Sequence, residues 1–109
     1  MKADQIEIAL DICLAVCAQD GLVSDVEEEA LSINFEKEFR LSKSKFVEFV
    51  DNFFNSDESI DDYISKLTEE SLNNKIIEFS EMAASADGLD IRENIALQRI
   101  KSTLGGDHE

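Results

Sequence analysis

The sequence predicts an all-α fold, a single-domain bundle of five to seven helices built from two pseudo-symmetric helical hairpins. Three observations predict it. Proline is absent from the 109 residues, and the hydrophobic residues are chiefly Leu, Ile, Ala and Phe, which favours helices over strands joined by tight turns. Apolar residues recur at spacings of three and four along most of the chain. A short pattern near residue 20 also returns near residue 87. The length suits one domain, residues 1–109, with its core over about 3–105 and a loose tail at 106–109. Hydrophobic residues make up 43%, enough for a packed core even with 25 acidic residues against 10 basic ones and a net charge of −15.

The elements follow in order. The first helix is expected from about Ala3 to Ala18, with Ile6, Leu10, Cys13 and Cys17 on one face and Ile8, Ile12 and Ala15 on another. It is apolar nearly all round in its C-terminal half, which makes it central. Ser24-Asp25-Val26-Glu27 is a capping box that opens a second helix to about Phe39, with Ala30, Leu31, Phe35 and Phe39 inward. Ser42 or Ser44 starts a third, through Phe54, whose stripe is Phe46, Phe49, Val50 and Phe53. A short fourth helix carries Ile60, Tyr63, Ile64 and Leu67, with Asp57, Glu58, Asp61 and Asp62 on its outer side. Thr68-Glu69-Glu70 is expected to cap a fifth helix holding Leu72, Ile76, Phe79, Met82 and Ala83. Asp90-Ile91-Arg92-Glu93 is a second capping box, and the sixth helix, with Ile95, Leu97, Ile100 and Leu104, stops at Gly105-Gly106.

Several function classes lose their basis at this level. A phosphate backbone or an anionic membrane is bound through clustered Lys and Arg, and no basic stripe occurs, so neither nucleic acid nor a membrane surface is an expected partner. Asp4, Glu7 and Asp11 interrupt what would otherwise look like a signal peptide. Cys13 and Cys17, one helical turn apart, imply buried thiols rather than a disulfide or zinc site, and a cytoplasmic setting is expected. The single His, His108, lies in the tail, so no Ser-His-Asp or Cys-His arrangement is available and no enzymatic activity is expected. Paired carboxylates such as Asp11 with Asp20, or Glu27 with Asp87, do acid–base work only where burial shifts them.

The repeat is the most informative feature. Ala15-Val16-Cys17-Ala18-Gln19-Asp20-Gly21-Leu22 aligns with Met82-Ala83-Ala84-Ser85-Ala86-Asp87-Gly88-Leu89, and each copy leads into a capping box and an Ala-Leu pair, Ala30-Leu31 and Ala96-Leu97. Two such hairpins can bury their apolar faces on each other as a pseudo-twofold bundle. The second loop is one residue shorter, since Glu93 lies five after Gly88 and Glu27 six after Gly21.

The stretch Ala18-Gln19-Asp20-Gly21-Leu22-Val23-Ser24-Asp25-Val26-Glu27-Glu28-Glu29-Ala30-Leu31 resembles the alanine, Asp-Gly, acidic-loop, Glu and Leu signature of the tellurite-resistance TerB family, and its second copy is similar to it. That family includes the related domain of DnaJ-like co-chaperones. The resemblance spans about Ile6 to Leu104 and implies an all-helical bundle and a non-enzymatic interaction or sensing module of stress-response complexes. It also implies a weakly held divalent cation, calcium, magnesium or manganese, with Asp20, Glu27, Asp87 and Glu93 as the inheriting ligands.

The residues taken alone also admit a purely structural account. Gly21 and Gly88 permit positive φ, Asp20 and Asp87 are turn residues, and Glu27 and Glu93 complete capping boxes. Gly21 and Glu27 have the EF-hand spacing, but Val16 and Ala18 would hold its first two ligand positions, so this is not an EF-hand. The acids at Glu27-Glu28-Glu29 and at Asp57, Glu58, Asp61 and Asp62 read as a solvated face that keeps the protein soluble. The alternative function is a scaffold domain whose acidic face docks a basic protein partner without any metal.

Overall fold

Four helices begin where a side chain accepts from the first free backbone N–H groups. The computed structural model describes residues 3–19, 21–86 and 88–105, which form six α-helices and one 3-10 turn. They are α1 (Ala3–Cys17), α2 (Asp25–Phe39), α3 (Lys43–Phe54), α4 (Ile60–Lys66), α5 (Asn73–Ala86) and α6 (Ile91–Leu104). No strand occurs among the described residues. Ser24, Ser42, Ser59 and Asp90 are the N-caps of α2, α3, α4 and α6, and three of the four are full capping boxes. Ser42, not Ser44, caps α3. The tail expected at 106–109, with His108, lies outside the described residues, as do Asp20 and Asp87.

The start of the fifth helix departs from expectation. Thr68 does not cap it: a 3-10 turn over Glu70–Leu72 precedes α5, and no side chain caps that turn. The N–H groups of Thr68 and Glu69 are instead taken by Gln5, whose Oε1 accepts both at 2.8 and 3.0 Å while its Nε2 donates to the Lys66 carbonyl at 3.3 Å. Gln5 is only 5% exposed, so one amide on α1 clamps the chain as it leaves α4. Gln5→Ala strands these buried backbone groups and is expected to cost about 2–3 kcal/mol, read as a lower urea midpoint at unchanged slope.

α1 is the central helix, in contact with α2, α3, α4, α5 and α6. Seven of its residues from Ala9 to Cys17 are fully buried apolar side chains, which is what its all-round apolar C-terminal half requires. Ala83 and Ala84 on α5 are also fully buried, and small residues on both helices let α1 and α5 pack closely. Phe35, Phe39 and Phe79 join α2 to α5 with ring centroids 5.3–6.3 Å apart. Three expected core positions are corrected. Met82 is 47% and Ile95 64% exposed, each on the outer side of its helix, and Ala15 is half-buried while Leu14 and Val16 take the inward positions. No helix is long and apolar enough to cross a membrane among the described residues.

Candidate functional site

Two glycines set the geometry of the repeat. Gly21 and Gly88 have φ of +92° and +83°, a region in which any Cβ is strained even though the space around each is open. Each turns the chain back on the helix before it: the Gly21 N–H donates to the Ala18 carbonyl at 2.9 Å and the Gly88 N–H to the Ser85 carbonyl at 3.2 Å. The chain then enters α2 and α6 through matching boxes. The Glu27 N–H donates to Ser24 Oγ at 3.1 Å and the Ser24 N–H to Glu27 Oε1 at 2.9 Å. The Glu93 N–H donates to Asp90 Oδ1 at 2.8 Å and the Asp90 N–H to Glu93 Oε1 at 3.4 Å. The shorter second loop therefore reaches the same cap as the first, and the two repeats are equivalent at this level.

Both boxes open on one cleft of about 410 Å³, whose walls include Leu22, Asp25, Glu27, Gly88, Asp90 and Glu93. Asp25 and Asp90 are exposed at its rim, whereas Glu27 and Glu93 are 3% and 6% exposed. Glu27 thus does not belong to a solvated face with Glu28 and Glu29: its carboxyl is turned inward by the box. Burial pushes the Glu93 carboxyl well above the usual carboxylate range, a hydrogen bond with Glu27 pushes it further, and the Asp90 N–H works in the opposite direction. The end of α1 lies close by. Burial above all, then the charges of Glu27, Cys13 and Glu93, push the Cys17 thiol up. Cys13 is pushed up to about 12 by burial, so both free cysteines are inert thiols of the core.

Of the four sequence-derived candidate ligands, Glu27 and Glu93 come together, and Asp20 and Asp87 lie outside the described residues. Among the described residues no three His, Cys, Asp or Glu side chains gather as a ligand set. The cleft brings Glu27 and Glu93 together, and the candidate pairs of Glu27 with Asp87 and Asp11 with Asp20 each include a residue outside the described ones. The acids around α4 are partly neutralised within the fold, Glu58 by Lys66 and Asp61 by Arg99, while Asp62 completes the α4 capping box. A further carboxyl, Asp11, is buried on α1 beside α4. The sign of it in the sequence is an acid placed directly between Leu10 and Ile12 in a stretch that is apolar all round. No protein-family model, curated protein or solved structure matches the chain.

Proposed function

We propose that this chain is a small non-enzymatic binding module of the TerB-like type, and that the cleft between its two Asp-Gly loops takes a divalent cation. The observation that carries the reading is the convergence of Glu27 and Glu93, buried carboxyls from two equivalent loops, on one open cleft with no basic residue among the described residues of its walls. Each accepts the N–H of its own N-cap residue through one carboxyl oxygen. Two carboxylates are few for calcium, which takes six to eight oxygens. The affinity is therefore weak unless Asp20 and Asp87, which flank the glycines, add to the shell. The resemblance links such a module to stress response, and two unpaired thiols support a cytoplasmic setting.

The test is an amide NMR titration of the metal-stripped protein with calcium, magnesium, manganese and zinc at constant ionic strength. Saturable changes confined to 21–27 and 88–93, with manganese broadening centred there, are the expected result. The double variant Glu27→Gln with Glu93→Gln keeps both caps, because Gln serves equally at that position of the box, and it should abolish the response. A cation at a hundred times its Kd should stabilise the wild type by about 2.7 kcal/mol. An equal effect from sodium at matched ionic strength would defeat the proposal.

A second reading has its own support. Leu22, Ile91 and Ile95 are 72%, 75% and 64% exposed at and beside the acidic cleft. A basic protein segment that also carries apolar side chains would find both kinds of complement there. Diffuse, non-saturating cation shifts in the titration would favour this docking role.

A further inference from the structure

Asp11 is 8% exposed, and its Oδ1 is buried with no hydrogen-bond partner among the described residues. It lies where α4 packs on α1, with Tyr63 of α4, itself 4% exposed, among its neighbours. The charged groups acting on it are Glu7 on its own helix, Glu58 from the loop before α4, and Lys66 on α4. The two acids oppose a negative charge at Asp11 and Lys66 favours it. Lys66 is also engaged by Glu58 and its side chain is 50% exposed, so solvent weakens its help. From α3 the facing polar side chain is Asn52, which donates to Glu7 at 3.0 Å and carries no charge. Among the described residues α2, α5 and α6 contribute no charged group acting on it.

The helix above this carboxyl depends on its docking. α4 has seven residues, far below the dozen or more that an isolated helix needs in water. The Gln5 clamp holds one end, and at the middle Tyr63 rests against Phe53 at 5.9 Å between centroids. A neutral carboxyl beneath the helix leaves one oxygen unsatisfied, which is tolerable. A carboxylate in the same place is a buried charge facing two like charges, which is not.

We propose that Asp11 is a proton-operated latch for α4: with a proton on its carboxyl the 56–67 segment stays docked on α1, and with the proton gone the segment is released at the end beyond the Gln5 clamp. Burial, reinforced by Glu7 and Glu58 and opposed by Lys66, pushes Asp11 up to about 7, which sets the working range at neutral pH. Release uncovers the inward side of α4, Ile60, Tyr63 and Ile64, together with the face of α1 beneath it. The latch is separate from the cleft and does not rest on the cation reading.

The test follows wild-type amide hydrogen exchange from pH 5.5 to 8.5, corrected for intrinsic rates, together with a 13C titration of the Asp11 carboxyl. The carboxyl should titrate near neutrality. Protection of the 60–66 amides should fall about fivefold between pH 7 and 8, and more than that of α5. In Asp11→Asn the 60–66 protection should stay at its acid level throughout, and Glu93→Gln should leave the wild-type α4 response in place. An Asp11 carboxyl that titrates below pH 5, or 60–66 protection that is flat from pH 6 to 8 in the wild type, overturns the proposal. Both wild-type readouts stand even where the Asp11→Asn chain folds poorly.

Discussion

Phe35→Ala should lower the unfolding free energy by about 3–5 kcal/mol, the usual loss when a fully buried aromatic is cut to a methyl and the cavity cannot collapse. Phe35 is 0% exposed and meets Phe39 at 5.3 Å and Phe79 at 5.5 Å, so its ring is the junction of α2 and α5. Those helices carry one half of the cleft each: α2 begins with the first box, and α5 leads into the second loop. A domain of this size is stable by about 5–15 kcal/mol in total, so the variant should sit near the edge of folding at body temperature. At about 4 °C per kcal/mol its Tm should drop by about 12–20 °C. Urea denaturation should show a lower midpoint and the wild-type slope. Phe54→Ala is the control, because Phe54 is 48% exposed and should cost under about 1 kcal/mol. A Phe35→Ala loss no larger than the control's would mean that α2 and α5 are not joined as described.

The metal-free protein should be most stable near pH 4 and lose about 2 kcal/mol between pH 5 and 8. Asp11 has a folded pKa of about 7 against 3.8 for an exposed Asp, and Glu93 is raised above its exposed value of 4.5. Both bind a proton more tightly in the folded chain than in the unfolded one. Their contribution is complete below the unfolded values and is lost as pH climbs through the folded ones. Each tenfold of proton affinity is about 1.4 kcal/mol, so between pH 5 and 8 Asp11 alone could account for about 3 kcal/mol. We expect about half, because the segment over Asp11 can open and rehydrate the charge without unfolding the rest. Asp62 acts in the opposite sense: its bonds to the backbone and side chain of Ser59 hold it below the usual range, and its support for α4 is lost as pH falls below about 4. Urea midpoints from pH 3 to 8.5 should trace this maximum. The double variant Asp11→Asn with Glu93→Gln should flatten the alkaline side. A wild-type midpoint that rises steadily from pH 5 to 8 would show that neither carboxyl is raised.

Much of the molecule is legible in the sequence alone. The capping boxes at Ser24 and Asp90, the stripe Phe46, Phe49 and Val50, and the all-round apolar end of α1 are local patterns, and each maps onto an element directly. The errors fall where a distant residue overrules a local preference. Thr68 reads as a cap until Gln5, across the fold, takes its N–H. Met82 and Ile95 satisfy a helical period yet stay largely exposed, because among the described residues no further helix packs over them.

By itself the sequence determined that the chain is helical, that it contains one motif twice, and that each copy turns on a glycine and re-enters a helix through a capped glutamate. These follow from backbone sterics, periodicity and side-chain bonds spanning three or four residues. Only the tertiary structure decided which carboxyls meet and which are buried. Glu27 pairs with Glu93 because α1 and α5 pack side by side and bring both loops to one cleft, and Asp11 loses its water because α4 folds over it. The electrostatic character of a carboxyl depends on what surrounds it in space, and that is set by contacts between residues far apart along the chain.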